Sequence, residues 1–422
     1  MTPEEFSQLQ YGMFVHFGLF SSLARGEWVM NREQIPPEEM AQYARSFNPE
    51  KFDADALCRL AVEGGMKYLV FTTMHHEGFR MYKSALSAHN SYEACGRDFT
   101  AEIVSAARKH GLKIGLYHSL NNWYDQPDGV AALEEQSKYE LFIKHTFERL
   151  KELAQTFKPF DIFWYDGWWP FESQMWQAEK MNEELRAIVP GVLFNNRNCL
   201  PGDFGTPEQH LTAPKPWRPW EACVTLNSHW GYHASDNDWK SPVEVINMLL
   251  TCGAGRGNLL LNIGPRGDGS IPERSAEIVR QVGQWLKEGG REAITDCDKL
   301  PLSPTLPQPG DRGDWDSAGR FSASGNDLFL TMHYFPGSQY TLCGLKCKVK
   351  EVTACGKIPL KFRQEDGKVV VELTEILAQK LSPVIRFACD APPAVYRTGG
   401  MRVPECRHPR YDPVAPDILY EE

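Results

Sequence analysis

The run Phe160-Asp161-Ile162-Phe163-Trp164-Tyr165-Asp166-Gly167-Trp168-Trp169 reads as a short buried strand of β-branched and aromatic residues that ends in a carboxylate. Glycine follows, with indoles on both sides. A carboxylate held this way sits on a rigid support between flat apolar surfaces, which suit the C–H faces of sugar rings. Asp166 reads equally well as the cap of a turn at the strand end, so the rest of the chain has to decide.

Outward from this run, short apolar stretches alternate with amphipathic ones. Met13-Phe14-Val15-His16, Tyr68–Thr72, Lys113–Tyr117, Ile162–Tyr165, Val192–Asn195 and Leu259–Asn262 read as strands; Ala54–Glu63, Thr100–His110, Glu134–Thr156 and Pro272–Glu288 read as helices. Such alternation implies parallel strands with crossover helices, in an α/β fold that is either a closed (β/α)8-like barrel or an open doubly wound sheet. Nearly every strand ends in a polar or aromatic cluster: His16-Phe17-Gly18, Thr73-Met74-His75-His76, His118-Ser119, Asp166-Gly167 and Asn195-Asn196-Arg197. A barrel gathers such ends on one face, where its chemistry lies, and this favours the barrel. No glycine-rich dinucleotide turn follows the first strand. Gly264-Pro265-Arg266-Gly267-Asp268-Gly269 lacks the Lys-Ser/Thr of a phosphate loop and reads as a structural turn.

Composition changes after about residue 300, at the Pro-rich joint Leu302-Ser303-Pro304-Thr305-Leu306-Pro307-Gln308-Pro309-Gly310. Beyond it Leu328–His333, Lys348–Ala354 and Lys368–Leu373 read as strands separated by turns such as Glu365-Asp366-Gly367, with no long helical pattern between them. The expected organisation is a catalytic barrel over residues 1–300 and a C-terminal antiparallel β-sandwich domain with an irregular tail over 301–422.

A balance of 45 Lys+Arg against 55 Asp+Glu, with no basic cluster, argues against nucleic acid or an anionic membrane surface as partner. A neutral carbohydrate remains open, and the 12 Trp suit stacking on saccharides as well as they suit an aromatic core. No run of 18 apolar residues provides a spanning helix. The N-terminus, Met1-Thr2-Pro3-Glu4-Glu5-Phe6, lacks the basic and apolar regions of a leader, and the eleven scattered Cys read as reduced thiols. The expected location is cytoplasmic, and a homo-oligomer is left open.

Retaining glycoside cleavage needs two carboxyl groups roughly 5 Å apart, one a nucleophile and the other an acid and then a base. Asp166 is the natural nucleophile. Its partner is Glu208, in the Gly/Pro-rich loop Phe204-Gly205-Thr206-Pro207-Glu208-Gln209-His210, or alternatively Glu221, which lies where a later barrel strand runs and reads also as a buried partner for Arg197 or Arg218. A loop can carry an acid over one face of the site while a strand-borne nucleophile attacks the other. His16, His75, His76 and His118 at strand ends fit a metallohydrolase as well as a sugar site, but their spacing forms no ligand pattern such as His-Glu-x-x-His. Arg197 suits orientation of the carboxylates or of a sugar hydroxyl. In the first long loop, Ser21–Pro36, Glu27 can bridge hydroxyls and Trp28 can floor a ring, or the pair can be a surface acid beside a packed indole.

Tyr11–Gly18, the block Tyr68–Phe79 containing Thr73-Met74-His75-His76-Glu77-Gly78-Phe79, Gly111–Tyr117, Trp164-Tyr165-Asp166-Gly167 and Gly257–Pro265 resemble the α-L-fucosidases of glycoside hydrolase family 29, in order over about residues 8 to 295. The resemblance implies a (β/α)8-like barrel with a C-terminal β-sandwich, a retaining double displacement and no cofactor; with the histidine spacing above, no metal is expected. It puts Asp166 on the nucleophile, and Glu208, 42 residues later, on the acid/base in a Thr-Pro-Glu-Gln form. It puts His16, Glu27, Trp28, His75, His76, Trp164 and Arg197 on fucose-contacting positions. Tyr117 and His118 at the third strand end are counted with them, as is Trp230, which matches loosely an aromatic that packs on the fucose methyl. The chain departs from the family at Phe17, Glu77 and His118, where Trp, Asp and Tyr are commoner. Rival readings are a barrel glycosidase for a related sugar such as α-L-galactose, a metal-dependent hydrolase or isomerase, and a non-catalytic fucose binder.

Overall fold

The computed structural model describes residues 1–294, 318–342, 345–365 and 368–394. The Pro-rich joint at 302–310, the turn residues Asp366 and Gly367, and the irregular tail lie outside the described residues. Met1–Ser241 with Gly257–Arg280 form one compact unit, and Pro242–Arg256 with the chain from Gln281 onward form a second.

In the first unit seven parallel strands, β1 (Tyr11–Val15), β2 (Tyr68–Met74), β3 (Lys113–Ser119), β4 (Ile162–Asp166), β5 (Leu193–Phe194), β6 (Glu221–Thr225) and β7 (Asn258–Ile263), pair in the order β5-β4-β3-β2-β1-β7-β6. They form a half-barrel of the expected (β/α)8-like type. Because both faces of a parallel sheet are covered, the strands are apolar almost throughout: every residue of β1, β2, β6 and β7 is buried. Burying Phe14 or Val70 contributes about 2 kcal/mol each relative to exposure. The helices Ala54–Glu63, Phe99–Lys109, Gln136–Phe157 and Ala178–Ile188 supply the crossovers between β1 and β5. Two of them start on aspartates, Asp53 and Asp98, which accept the backbone N–H of Ala56 and Ala101.

Alternation along the strands decides which side chains fill the interior. Phe14, Tyr68, Val70, Tyr117, Ile162, Trp164, Leu193, Cys223 and Leu260 form one cluster there. Gly12 makes room for it, since a Cβ at that position would overlap the ring of Tyr68. Gly264–Gly269 is a turn, as expected, closed by Gly269 N–H to the Arg266 carbonyl at 2.8 Å.

Edge strands β5 and β6 do not pair with each other. The segment 203–209, nearly all of it within the Gly/Pro-rich loop expected at 204–210, runs between them instead. Asp203 N–H donates to the Phe194 carbonyl (2.8 Å), Gly205 and Glu221 exchange bonds with Pro219 and Gly205 (3.0 and 2.9 Å), and Cys223 N–H and Gln209 N–H donate to Pro207 and Cys223 (3.1 and 3.0 Å). Its parallel bridges Asn195–Phe204, Gly205–Trp220 and Glu208–Cys223 tie it to both edges. The first long loop is also more ordered than expected, with short helices at Leu19–Leu23 and Val29–Arg32.

Among its described residues the second unit carries eight antiparallel strands: β8 (Gly319–Ser324), β9 (Asp327–Met332), β10 (Gln339–Leu342), β11 (Val349–Ala354), β12 (Ile358–Pro359), β13 (Phe362–Glu365), β14 (Lys368–Glu372) and β15 (Val384–Cys389). They make a sheet of order β12-β11-β15-β9-β8 and one of order β10-β14-β13. Leu328, Leu330, Val352, Ile385 and Phe387 of the first pack with Leu342, Val369 and Val371 of the second, which makes a sandwich.

Candidate active site

The C-terminal ends of the strands enclose a cavity of about 170 Å³ walled by Phe14, His16, Trp28, His75, His76, Tyr117, Trp164, Asp166, Trp168, Trp169, Arg197, Glu208, Cys223 and Trp230. That is below the roughly 300 Å³ at which pockets for larger ligands begin, and suits one small ring.

Asp166 ends β4 and is 13% exposed in its side chain. Tyr117 Oη donates to its Oδ2 at 2.8 Å and Arg197 Nη1 to its Oδ1 at 3.1 Å, while His76 Nε2 lies 3.7 Å from Oδ2. Burial above all, and then Asp166, push the Tyr117 phenol well above its ordinary pKa, so it remains a donor. Gly167 adopts φ +68°, and a Cβ there would come within 2.6 Å of Ser119 Oγ and 3.0 Å of His76 Nδ1. The glycine after the aspartate therefore lets the His76–Ser119 pair reach the carboxylate.

Arg197 joins the two candidate catalytic carboxylates. Its Nη2 pairs with Glu208 Oε2 at 2.8 Å, while Nη1 holds Asp166. The two terminal nitrogens of a planar guanidinium are about 2.3 Å apart, which brings the bonded oxygens of Asp166 and Glu208 within roughly 8 Å of each other. Nε and Nη2 also donate to Thr206 Oγ1 (3.0 Å) and to the Thr206 carbonyl (3.3 Å), and Trp164 and Trp168 lie against the cation at 4.8 and 5.5 Å. Burial works against the charge, but Cys223, Asp166 and Glu208 outweigh it and raise the Arg197 pKa. Glu208 itself is 42% exposed on the segment that bridges β5 and β6.

Glu221, the alternative acid/base, lies deeper. It is fully buried and absent from the cavity wall. Tyr68 Oη and Trp164 Nε1 (2.9 Å) donate to its two oxygens. Burial raises its pKa to about 7 against the pull of those bonds and of Arg197. Neither Arg197 nor Arg218 bonds it; Arg218 donates to the Pro201 and Gly202 carbonyls.

The histidines fall into two groups. Asn262 Nδ2 donates to the Trp230 carbonyl at 2.7 Å, so its Oδ1 accepts from His16 Nδ1 at 2.7 Å. Ser119 Oγ donates to the Asn121 carbonyl at 2.7 Å, so it accepts from His76 Nδ1 at 2.6 Å. Both rings are assigned by these networks as Nδ1–H tautomers, leaving Nε2 as an acceptor. Burial first, and the neighbouring His75 next, hold both pKa values well below the ordinary imidazole range, so both are neutral. His75, with its ring 4.0 Å from that of His76, has a carboxylate behind it instead: Nδ1 is 3.6 Å from Glu77 Oε2. Among the described residues neither oxygen of the buried Glu77 has a hydrogen-bond partner.

Two of the expected sugar contacts lie outside the cavity wall. His118 follows Tyr117 on β3 and therefore faces the other side of the sheet. It is fully buried, Nδ1 bonds Thr73 Oγ1 at 2.9 Å, and burial followed by Arg149 and Arg80 lowers its pKa. Glu27 is also outside the cavity wall: its Oε2 accepts the Gly231 N–H at 2.8 Å and so anchors the segment bearing Trp230. Phe14, Trp168, Trp169 and Cys223 line the cavity without having been singled out as contacts. For Phe14 the two-residue spacing from His16 was the available signal. Among the described residues no group of three or more His, Cys, Asp or Glu is arranged to hold a metal ion.

The family model of α-L-fucosidase matches residues 1–291. The chain is 31% identical to the tissue α-L-fucosidase of Mus musculus over 69% of this chain and 71% of that one, and 32% identical to the plasma α-L-fucosidase of Homo sapiens over 69% of each. In three dimensions it is similar to α-L-fucosidase isoenzyme 1 of Paenibacillus thiaminolyticus, with a TM-score of 0.78, 30% identity, and coverage of 92% of this chain and all of that one. The chain belongs to the α-L-fucosidase family of glycoside hydrolases.

Proposed function

We propose that this protein is a retaining exo-α-L-fucosidase that removes terminal α-L-fucosyl units from oligosaccharides or glycosides by double displacement. The observation that carries the reading is the single Arg197 guanidinium that pairs with both Asp166 and Glu208 at the wall of a cavity the size of one ring. Asp166, fixed by Tyr117 and Arg197, attacks the anomeric carbon, and the C–O bond to the leaving group breaks as Glu208 gives that oxygen its proton. For this step Glu208 releases Arg197 and turns to the leaving oxygen. Glu208 then takes a proton from water, whose oxygen attacks the same carbon and frees Asp166. Two inversions give net retention.

The Nε2 acceptors of His16 and His76 suit sugar hydroxyls, which can donate. Phe14 and Trp230, with ring centroids 5.8 Å apart, give an apolar wall that suits a methyl group at C6. A wall of this kind discriminates only modestly against an added hydroxyl, so α-L-galactosides are the informative comparison. The eight described cysteines, all free thiols, support a reducing, cytoplasmic setting, which cell fractionation would check.

The test is a panel of aryl glycosides with the first-formed sugar followed by proton NMR. Hydrolysis of the α-L-fucoside with the α-anomer appearing first is the expected result. A β-anomer would overturn retention, preference for the α-L-galactoside would move the substrate, and saturable fucose binding with no turnover of any glycoside would overturn the enzymatic reading.

A further inference from the structure

A second cavity, of about 220 Å³, lies beside the segment that follows β3, with Arg80, Leu86, Asp125, Glu148 and Arg149 in its wall. Both arginines are almost completely buried. Arg80 is compensated: Nη2 pairs with Asp125 Oδ2 at 3.2 Å and Nη1 donates to Ser84 Oγ at 2.9 Å. Arg149 is not. Its Nη2 donates to the Leu120 carbonyl at 3.0 Å and, at 3.5 Å, to Thr146 Oγ1, and no carboxylate among the described residues bonds it. Burial, and next the charge of Arg80, lower its pKa to about 10, which leaves it protonated at neutral pH.

A buried charge with no carboxylate bonded to it is strongly unfavourable, and Asp125, which favours the Arg149 cation from a distance, is bonded to Arg80. The unmet donors also concentrate at this one place, since neither Arg80 Nε nor Arg149 Nε has an acceptor. Nearby acids are already engaged. Asp125 accepts from Arg80 and, at 2.8 Å, from Asn122 Nδ2; Glu152 accepts from Ser84 Oγ (2.7 Å) and Ala85 N–H (2.6 Å); Glu148 is 43% exposed with Lys144 at 3.9 Å.

We propose that this cavity is a binding site for a small oxyanion, of phosphate, sulfate or carboxylate type, which bridges the guanidinium groups of Arg80 and Arg149. Both guanidinium groups line the cavity, and a guanidinium meets an oxyanion through a pair of parallel N–H donors. Occupancy bears on the active site, because the residue whose carbonyl accepts from Arg149 is Leu120, and Leu120 N–H donates to the Asp166 carbonyl at 2.7 Å.

The full chain is titrated with sodium phosphate, and with sodium sulfate and sodium acetate in parallel, against sodium chloride at matched pH and ionic strength, reading the unfolding midpoint. A saturable rise of roughly 5 °C is expected in at least one oxyanion, and its identity separates tetrahedral ions from carboxylates. Arg149→Gln removes the unpaired charge and should lose that rise. Leu86 is 47% exposed, so Leu86→Glu adds a repelling carboxylate to the wall while leaving the buried network intact, and it decides the matter if Arg149→Gln fails to fold. A rise that never saturates, or that persists unchanged in Leu86→Glu, means an adventitious ion only and overturns the site. Crystals soaked in the ion that gives the rise, with selenate standing in for a tetrahedral one, should show its density between the two guanidinium groups; ordered water there overturns it equally.

Discussion

Glu208 and Glu221 stand on neighbouring parallel stretches of the half-barrel, either side of Cys223, and they are opposite kinds of acid. Glu208 pairs across a bridge with Cys223, is 42% exposed, and meets the buried cation Arg197 at the cavity wall. Glu221 is two residues from Cys223 on β6, fully buried, and saturated by a phenol and an indole that belong to the barrel interior. The same functional group one layer apart is thus either free to exchange its partner or locked to it. Rim acids can do proton chemistry; interior acids set the packing of the rings above them. The Glu221–Trp164 bond does this for the indole that walls the cavity and lies against Arg197.

The largest effect should come from the rim residue on the stiffest support. Asp166→Ala removes the nucleophile and leaves Arg197 with Glu208 alone, and turnover of an aryl α-L-fucoside should fall by roughly three orders of magnitude or more, about 4 kcal/mol in barrier. Near-normal kcat in this variant would break the assignment of the rim as the reacting level. Glu208→Ala comes next. Loss of the acid should slow substrates with poor leaving groups by about 100-fold to 10,000-fold and activated aryl fucosides far less, and azide should restore the second step as an external nucleophile. An equal loss for all leaving groups with no rescue would transfer the role to Glu221 and erase the distinction between the two levels.

Glu221 offers a test of the interior half of the comparison through stability. Its pKa is raised to about 7 in the folded protein, against 4.5 as the ordinary value. Between those two values the unfolded chain has already lost the proton that the folded chain keeps. The unfolded state then binds fewer protons, and stability falls as pH rises through this window, by about 3 kcal/mol from this group. Glu221→Gln has no such titration. Denaturant unfolding at pH 4.5 and pH 7 should therefore show a decline in the wild-type protein that is flatter by that amount in the variant, and parallel declines would mean that Glu221 is ionised at little cost.

The same contrast explains what could be seen in the sequence. Alternating strands and helices, and the polar ends of the strands, were legible because hydrophobic periodicity is local, and they located Asp166, His16, His75, His76 and Arg197 together. Segment 203–209 was not legible as a barrel member: Gly205 and Pro207 give it the composition of a loop, and its bonds are to Phe194, Pro219 and Cys223, which no local pattern reports. The anchoring bond of Glu27 was hidden for a similar reason, since the N–H it accepts belongs to Gly231, 204 residues away. Glu221 could be put on a strand but not at a depth, because depth depends on Tyr68 reaching past Gly12, a fit made across two other strands. His118 is different. Its side of the sheet was available from the alternation with Tyr117, and only its place at a strand end, like the other histidines, drew it into the site.

That pair supplies the finest test, because adjacent residues of one strand differ only in the face they occupy. Tyr117 stacks near His75, with ring centroids 5.9 Å apart, and donates to Asp166 from inside the cavity wall. Tyr117→Phe keeps the ring and deletes one hydrogen bond to an ionisable oxygen, worth about 1.5–3 kcal/mol, so kcat should drop roughly 10-fold to 100-fold with little change in the unfolding midpoint. His118→Gln alters a residue that bonds Thr73 and feels the charge of Arg149 and Arg80 on the other face, and kcat/KM should stay within about threefold while any loss appears in stability. If instead His118→Gln impairs fucoside turnover as much as Tyr117→Phe does without lowering the midpoint, the two faces of β3 are not functionally separate, and the division between reacting rim and supporting layer has to be redrawn.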